Sequence, residues 1–246
     1  MQLDSKTLLL LKQIISSNIN TSAIRHFEPS LICSTDNGEV SGEFFELIWR
    51  AVGLAKKVNI DIPKPALPDS MFYNIFPGEH YRFLKALTKT LRAKSVIEIG
   101  TFTGMGSVAI SQGFDSRNNE LLTFDVIPYD QFQTHFTPEL LKSSKFSQII
   151  GDLADVDFFK EHIQRFNNCE LIFLDAPKDG IFEYQFLENL MLVKPVGACY
   201  LVLDDIRFLN MTELWQSIRS EKLDCTSFGH WSGTGVVNIT GGLKLR

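Results

Sequence analysis

The 246-residue chain has only 4 cysteines. Cys33, Cys169, Cys199 and Cys225 stand far apart, without the close pairing of a zinc site or a thioredoxin-like motif, and they read as free thiols of a reducing cytoplasm. Blocks of Lys or Arg are also missing. With 24 basic against 29 acidic side chains the formal charge is -5, and nothing forms a stripe that tracks phosphates, which argues against nucleic acid as a partner. Long apolar runs are absent too. Leu8-Leu9-Leu10-Leu11 is broken at once by Lys12 and Gln13, far short of the roughly 20 residues that a membrane span needs, so no membrane association is expected. There are no internal repeats and no low-complexity tract. None of the five histidines, His26, His80, His135, His162 and His230, is spaced in sequence as a metal pair.

What is present suits one α/β domain with a short extension, since a hydrophobic content of 44% over this length fills a single core. Leu8, Leu11, Ile14 and Ile15 recur at helical spacing between Ser5 and Ser17. Phe44, Phe45, Ile48 and Val52 do so between Ser41 and Val58. These are expected to be accessory helices. The prolines at 63, 65 and 68 cannot continue a helix and place the boundary of the main domain near residue 70. Residues 1–69 are thus expected to form a helical extension, either a lid or a homodimer contact, and residues 70–246 the principal domain.

After a helix carrying Tyr81, Leu84, Leu87 and Leu91, the pattern changes to short apolar runs: Ser95 to Ile99, Leu121 to Phe124, Gln148 to Ile150, Leu171 to Leu174 and Tyr200 to Leu203. Gly100, Asp125, Asp152, Asp175 and Asp204 close these runs. Their spacing is that of βαβ crossovers, so the sheet should be parallel, and runs apolar at nearly every position imply helices on both faces. Cys225 to Phe228 and Val236 to Ile239, with no helix between them, predict an antiparallel hairpin at the edge. The expected fold is a doubly wound Rossmann-like sheet of seven strands, mostly parallel. In such a sheet ligands bind beyond the carboxyl ends of the strands, where all five closing residues fall.

The loop Glu98-Ile99-Gly100-Thr101-Phe102-Thr103-Gly104-Met105-Gly106-Ser107 departs from the dinucleotide fingerprint. Its glycines are spaced G-x-x-x-G-x-G rather than G-x-G-x-x-G, and an acid at 98 disfavours pyrophosphate and suits a cation. S-adenosylmethionine carries a sulfonium, an ammonium, a carboxylate for backbone amides near Gly100, Thr101 and Gly104, and a ribose diol for Asp125 to accept from. Asp152 is placed to accept from an adenine amino group. For Asp125 or Asp152 taken alone, capping of the following helix is an equally good account.

The stretch Pro77-Gly78-Glu79-His80-Tyr81-Arg82-Phe83-Leu84, then Ala93-Lys94, then Glu98 to Gly104, resembles the catechol and caffeoyl-CoA O-methyltransferase family over roughly residues 70 to 206. The resemblance implies a class I methyltransferase that uses S-adenosylmethionine. In that family Tyr-Ser commonly follows the glycine loop, and the serine helps hold the methionine carboxylate; here Met105 and Gly106 stand at those positions. Backbone amides or the displaced Ser107 are then left to make the contact.

Asp175 and the pair Asp204-Asp205 end the fourth and fifth strands, expected to be neighbours. Three carboxylates meeting there need a compensating cation, and an all-oxygen set suits Mg²⁺ or another divalent ion. The resemblance implies the same, because the family places metal ligands at Asp175, Asp204 and Asp205, the last being Asn there. It also places the catalytic lysine at Lys178, where the proton of the acceptor is taken or the oxyanion stabilised. The expectation is therefore O-methylation of a small-molecule hydroxyl, with Lys178 and Asp175 catalytic. The alternatives are a metal-independent enzyme acting on a sugar or amine, an NAD-linked dehydrogenase, and a non-catalytic binding protein of the same fold. His230 and Trp231, in the hairpin loop, either recognise substrate or simply pack a turn.

Overall fold

A computed structural model describes residues 40–142 and 144–246. The helix expected over residues 5–17, with His26 and Cys33, lies outside the described residues.

The first described helix, α1 (Gly42–Ala55), starts where the Ser41 hydroxyl accepts from the Phe44 amide at 3.2 Å. It buries Phe44, Ile48, Ala51, Val52 and Ala55, a helical stripe packed against Phe83, Leu84 and Leu87 of α2 (Glu79–Leu91). Phe45, expected on that face, is on the outside, where its ring stacks on Trp49. Positions 44 and 45 lie about 100° apart on a helix, so only one of them belongs to a narrow stripe.

From residue 95 strands and helices alternate: β1 (Ser95–Ile99), α3 (Met105–Ser111), β2 (Glu120–Asp125), α4 (Pro138–Leu141), β3 (Lys145–Ile150), α5 (Val156–Asn167), β4 (Leu171–Leu174), α6 (Phe182–Leu190), β5 (Tyr200–Asp204), α7 (Met211–Ser217), β6 (Lys222–Asp224) and β7 (Thr234–Asn238). The seven strands lie in the order β3-β2-β1-β4-β5-β7-β6. The first five are parallel, and β7 is antiparallel to both β5 and β6. The Rossmann-like arrangement expected of the sequence is thus the observed one.

Alternation along the strands assigns each residue to a face. Ile97, Ile99, Ile172, Leu174, Leu201 and Leu203 pack with Phe159 and Phe166 of α5 and Phe186 of α6. Val96, Leu121, Leu171, Phe173 and Val202 pack with α1, α2 and α3. Strands buried on both sides need the near-continuous apolar runs seen in the sequence.

One strand differs from expectation. The sixth runs over 222–224, and the run from Cys225 to Phe228 instead contains a 3₁₀ turn. Asp224 ends the strand by accepting the Thr226 amide at 2.9 Å and the Thr226 hydroxyl, an Asx turn that outcompetes the ladder.

Candidate active site

Strand order reverses between β1 and β4, and the loops leaving these strands part to form a cleft of about 490 Å³. Gly100, Thr101 and Gly106 line one side, Asp125 and Gly151 another, and Asp175 and Lys178 a third. Gly100 has φ +92°, and a Cβ there would meet the Asp175 carbonyl oxygen at 1.9 Å, so only glycine lets the loops after β1 and β4 pass this closely. Gly104 precedes the first residue of α3.

The Asp125 carboxylate stands at the end of β2 and ties two loops together. Oδ2 accepts the Phe102 amide at 2.9 Å, and Oδ1 accepts the Ile127 amide at 3.1 Å. Each oxygen can accept a further hydrogen bond, and the residue lines the cleft. Thr101 is buried, its hydroxyl 2.6 Å from that of Thr123 and accepting from Gln148 Nε2 at 2.9 Å. Asp152 is exposed and outside the cleft lining, and its Oδ1 accepts the Ala154 amide at 2.8 Å. The residue that caps α5 is Asp155.

Glu98 and Ser107 are placed differently from Asp125. Glu98 shares the parity of Val96 and points under α3, where it is 1% exposed and accepts a short hydrogen bond from the Ser107 hydroxyl. Burial pushes its pKa up to about 8, against the opposing hydrogen bonds from Ser107 and Thr123. A Cβ at Gly106 would fall 2.2 Å from Glu98 Oε1 and 2.8 Å from the Phe173 ring. A serine at this position, as the resemblance calls for, would need the Glu98 carboxylate and the Phe173 ring to shift from where they stand here. The buried Ser107 serves that acid and does not line the cleft.

At the ends of β4 and β5 the three expected acids do meet. Asp175, Asp204 and Asp205 each present a carboxylate oxygen within 4.8 Å of the others. The cation already among them is Lys178, whose Nζ lies 2.7 Å from Asp175 Oδ1 and 2.8 Å from Asp205 Oδ2. Burial opposes the ammonium, but Asp175, Asp205 and Asp204 outweigh it and hold the lysine above its ordinary pKa. Asp205 is held well below the usual carboxylate range, because His230, Lys178 and Ser232 together overcome its burial. Asp204 is pushed up by burial and by its two acidic neighbours.

Lys178 reaches this position from a left-handed backbone (φ +64°). Glu183 pins the turn by accepting the Lys178 amide at 2.6 Å and the Gly180 amide at 2.9 Å. Sequence reasoning did not find Glu183; its signal was an acid in the first turn of the helix after the loop, the position from which a side chain reaches back to free amides.

A second omission is larger. His80 and His230, 150 positions apart, come together with ring centroids 4.6 Å apart beside Asp204. His80 is 4% exposed, and burial with the neighbouring His230 lowers its pKa to about 3. Neither of its ring nitrogens makes a hydrogen bond of normal geometry, although the Pro77 carbonyl is close enough to act on the ring. His230 Nδ1 lies 2.6 Å from Ser232 Oγ and 3.3 Å from Asp205 Oδ1. The side chain of Trp231 is exposed, set edge-on to Phe208.

A family model described as O-methyltransferase matches residues 70–211. The chain belongs to the O-methyltransferase family. It is an S-adenosylmethionine-dependent methyltransferase, as its glycine loop and acids led us to expect. Among solved structures it is similar to the S-adenosylhomocysteine-bound methyltransferase PaMTH1 of Podospora anserina (12% identity, 100% of this chain and 98% of that one, TM-score 0.49). It is also similar to an O-methyltransferase of Bacillus cereus in complex with S-adenosylhomocysteine (13% identity, 93% and 96%, TM-score 0.43). A third is TomG of Streptomyces achromogenes, involved in tomaymycin synthesis (12% identity, 96% and 99%, TM-score 0.43). No curated protein matches the chain. Among the described residues no helix is long and apolar enough to cross a membrane.

Proposed function

We propose that this methyltransferase acts on a hydroxyl of a small molecule, with S-adenosylmethionine in the cleft beside Gly100 and Asp125 and the acceptor beside Asp175 and Lys178. The observation that carries this reading is the continuity of the cleft. The same cavity that receives the glycine loop and Asp125 is walled by Asp175 and Lys178, so a methyl donor and a polarised acceptor oxygen fit in one space. Methyl transfer requires the oxygen in line with the methyl–sulfur bond, and catalysis is then largely positioning.

Asp125 accepts from the ribose diol, and the amides of the loop from Gly100 to Gly104 face the methionine carboxylate. Asp152, outside the cleft lining, reaches the adenine amino group only by turning from its own Asx turn. Glu98 supports the floor of the site, holding Ser107 and the start of α3 in place. Lys178, kept protonated by its acidic neighbours, stabilises the oxyanion that develops as the acceptor's proton passes to the Asp175 carboxylate.

Asp175, Asp204 and Asp205 fit a divalent ion such as Mg²⁺ in donor type, and Asp204 Oδ1 is buried without a hydrogen-bond partner. Binding between Asp175 and Asp205 requires Lys178 to withdraw from them. Such an ion, when bound, lowers the pKa of a coordinated hydroxyl. Residues 1–69 are read as a lid or homodimer contact, and the protein as cytoplasmic.

The test is transfer of isotopically labelled methyl from S-adenosylmethionine to paired hydroxyl and amine acceptors, with products identified by mass spectrometry and turnover repeated after exhaustive chelation. Methyl ethers and chelator-sensitive turnover are expected. Exclusive N-methylation overturns the hydroxyl assignment, and undiminished turnover after chelation overturns the ion.

A further inference from the structure

We propose that His80, His230 and Asp204 form a transition-metal site, which shares Asp204 with the all-oxygen set of Asp175, Asp204 and Asp205 but draws its other two donors from imidazoles. One ligand atom from each of the three residues lies within 4.8 Å of the others. His80 projects from the first turn of α2, Asp204 ends β5, and His230 belongs to the loop before β7. Three separately anchored elements thus converge on one point beside the cleft.

Two independent features mark the point as a ligand site rather than a packed histidine pair. His80 is 4% exposed and has no normal hydrogen bond at either ring nitrogen, and Asp204, equally buried, has Oδ1 without a partner. His230 Nδ1 lies 3.6 Å from Asp204 Oδ1, too far for a hydrogen bond. Buried polar groups are nearly always paired, so orphaned donor atoms on two side chains facing the same space imply something that satisfies both. A single cation does so.

The neighbouring charges direct the ion to this side of Asp204. Lys178 already compensates Asp175 and Asp205, at 2.7 and 2.8 Å, and Ser232 donates a short hydrogen bond to Asp205. Asp204 is the one of the three acids that makes no direct salt bridge with Lys178. Two imidazoles and one carboxylate favour zinc, iron, cobalt or nickel over Mg²⁺, which prefers oxygen donors and retains its waters. Bonds of about 2.0–2.2 Å would draw the three donors together by small side-chain rotations.

The experiment uses the full chain, stripped with a chelator and titrated with Co²⁺ alone, with visible absorption as the readout and Mg²⁺ as competitor. Binding of one Co²⁺ per chain is expected, with d–d bands that a roughly hundredfold excess of Mg²⁺ leaves intact. His80→Gln and His230→Asn should each weaken Co²⁺ by on the order of a hundredfold or more, since loss of even an outer contact costs ten- to a hundredfold. Asp175→Asn, which alters only the oxygen set, should leave the affinity within about threefold. Wild-type bands and affinity in both histidine variants, displacement by Mg²⁺, or loss of binding in Asp175→Asn with retention in the histidine variants would each overturn the site. If the buried His80→Gln chain does not fold, His230→Asn, changed in a partly exposed loop, decides alone. No turnover is measured, so the result is separate from that of the O-methylation assay.

Discussion

The buried Glu98 should make the ligand-free protein less stable as pH rises, and Glu98→Gln should remove that dependence. In the unfolded chain the carboxyl titrates near 4.5; in the fold, burial under α3 moves it to about 8. The folded state therefore holds its proton more tightly than the unfolded state does. Stability from this group is complete below the unfolded value and is lost as pH rises through the folded one. Between pH 5 and pH 7 the linkage relation gives a loss of about 2 to 3 kcal/mol, a large part of the stability of a single domain. Urea unfolding of both proteins across this range measures it. Asp204 and other buried groups titrate in both chains, so the wild-type-minus-variant difference isolates Glu98. That difference should move against the wild type by the stated amount, and a difference that stays flat from pH 5 to pH 8 would refute the reasoning.

Restoring the serine of the family at Gly106 should destabilise the protein by about 1–3 kcal/mol, since its Cβ collides with Glu98 Oε1 and the Phe173 ring; the midpoint of denaturation checks it. Lys178→Met should lower kcat by about a hundredfold or more with little change in the KM for S-adenosylmethionine, because it removes a group that acts on the developing oxyanion. Steady-state kinetics with each substrate varied separates the two effects. Glu183→Gln should relax the turn that holds Lys178 and reduce kcat by about tenfold, while leaving S-adenosylhomocysteine affinity, read by calorimetry, unchanged.

The sheet was legible because its evidence is local and repeated. Five apolar runs, each closed by glycine or aspartate, fix strands whose carboxyl ends must share one edge. The meeting of Asp175, Asp204 and Asp205 follows from that register alone, as they end adjacent parallel strands. Where a side chain points within the edge was less legible. Glu98 looked poised to face a cation in the turn, but strand parity sends it under α3 with Val96, and Ser107 follows it there. The sixth strand was misplaced because Cys225 to Phe228 has strand-like composition, whereas the Asx turn at Asp224 depends on a single side chain. The pairing of His80 with His230 left no trace in sequence spacing, since it arises only when α2 and the loop before β7 pack over the end of β5.

Calorimetric titration of S-adenosylhomocysteine into the wild-type chain and into Asp125→Ala, with NAD titrated alongside, tests most directly whether the cleft at the end of β1 and β2 holds the methyl donor. Saturable binding of S-adenosylhomocysteine to the wild type, a loss of about tenfold or more in Asp125→Ala, and no binding of NAD are expected. Unaltered affinity in the variant, or tighter binding of NAD than of S-adenosylhomocysteine, would contradict the assignment.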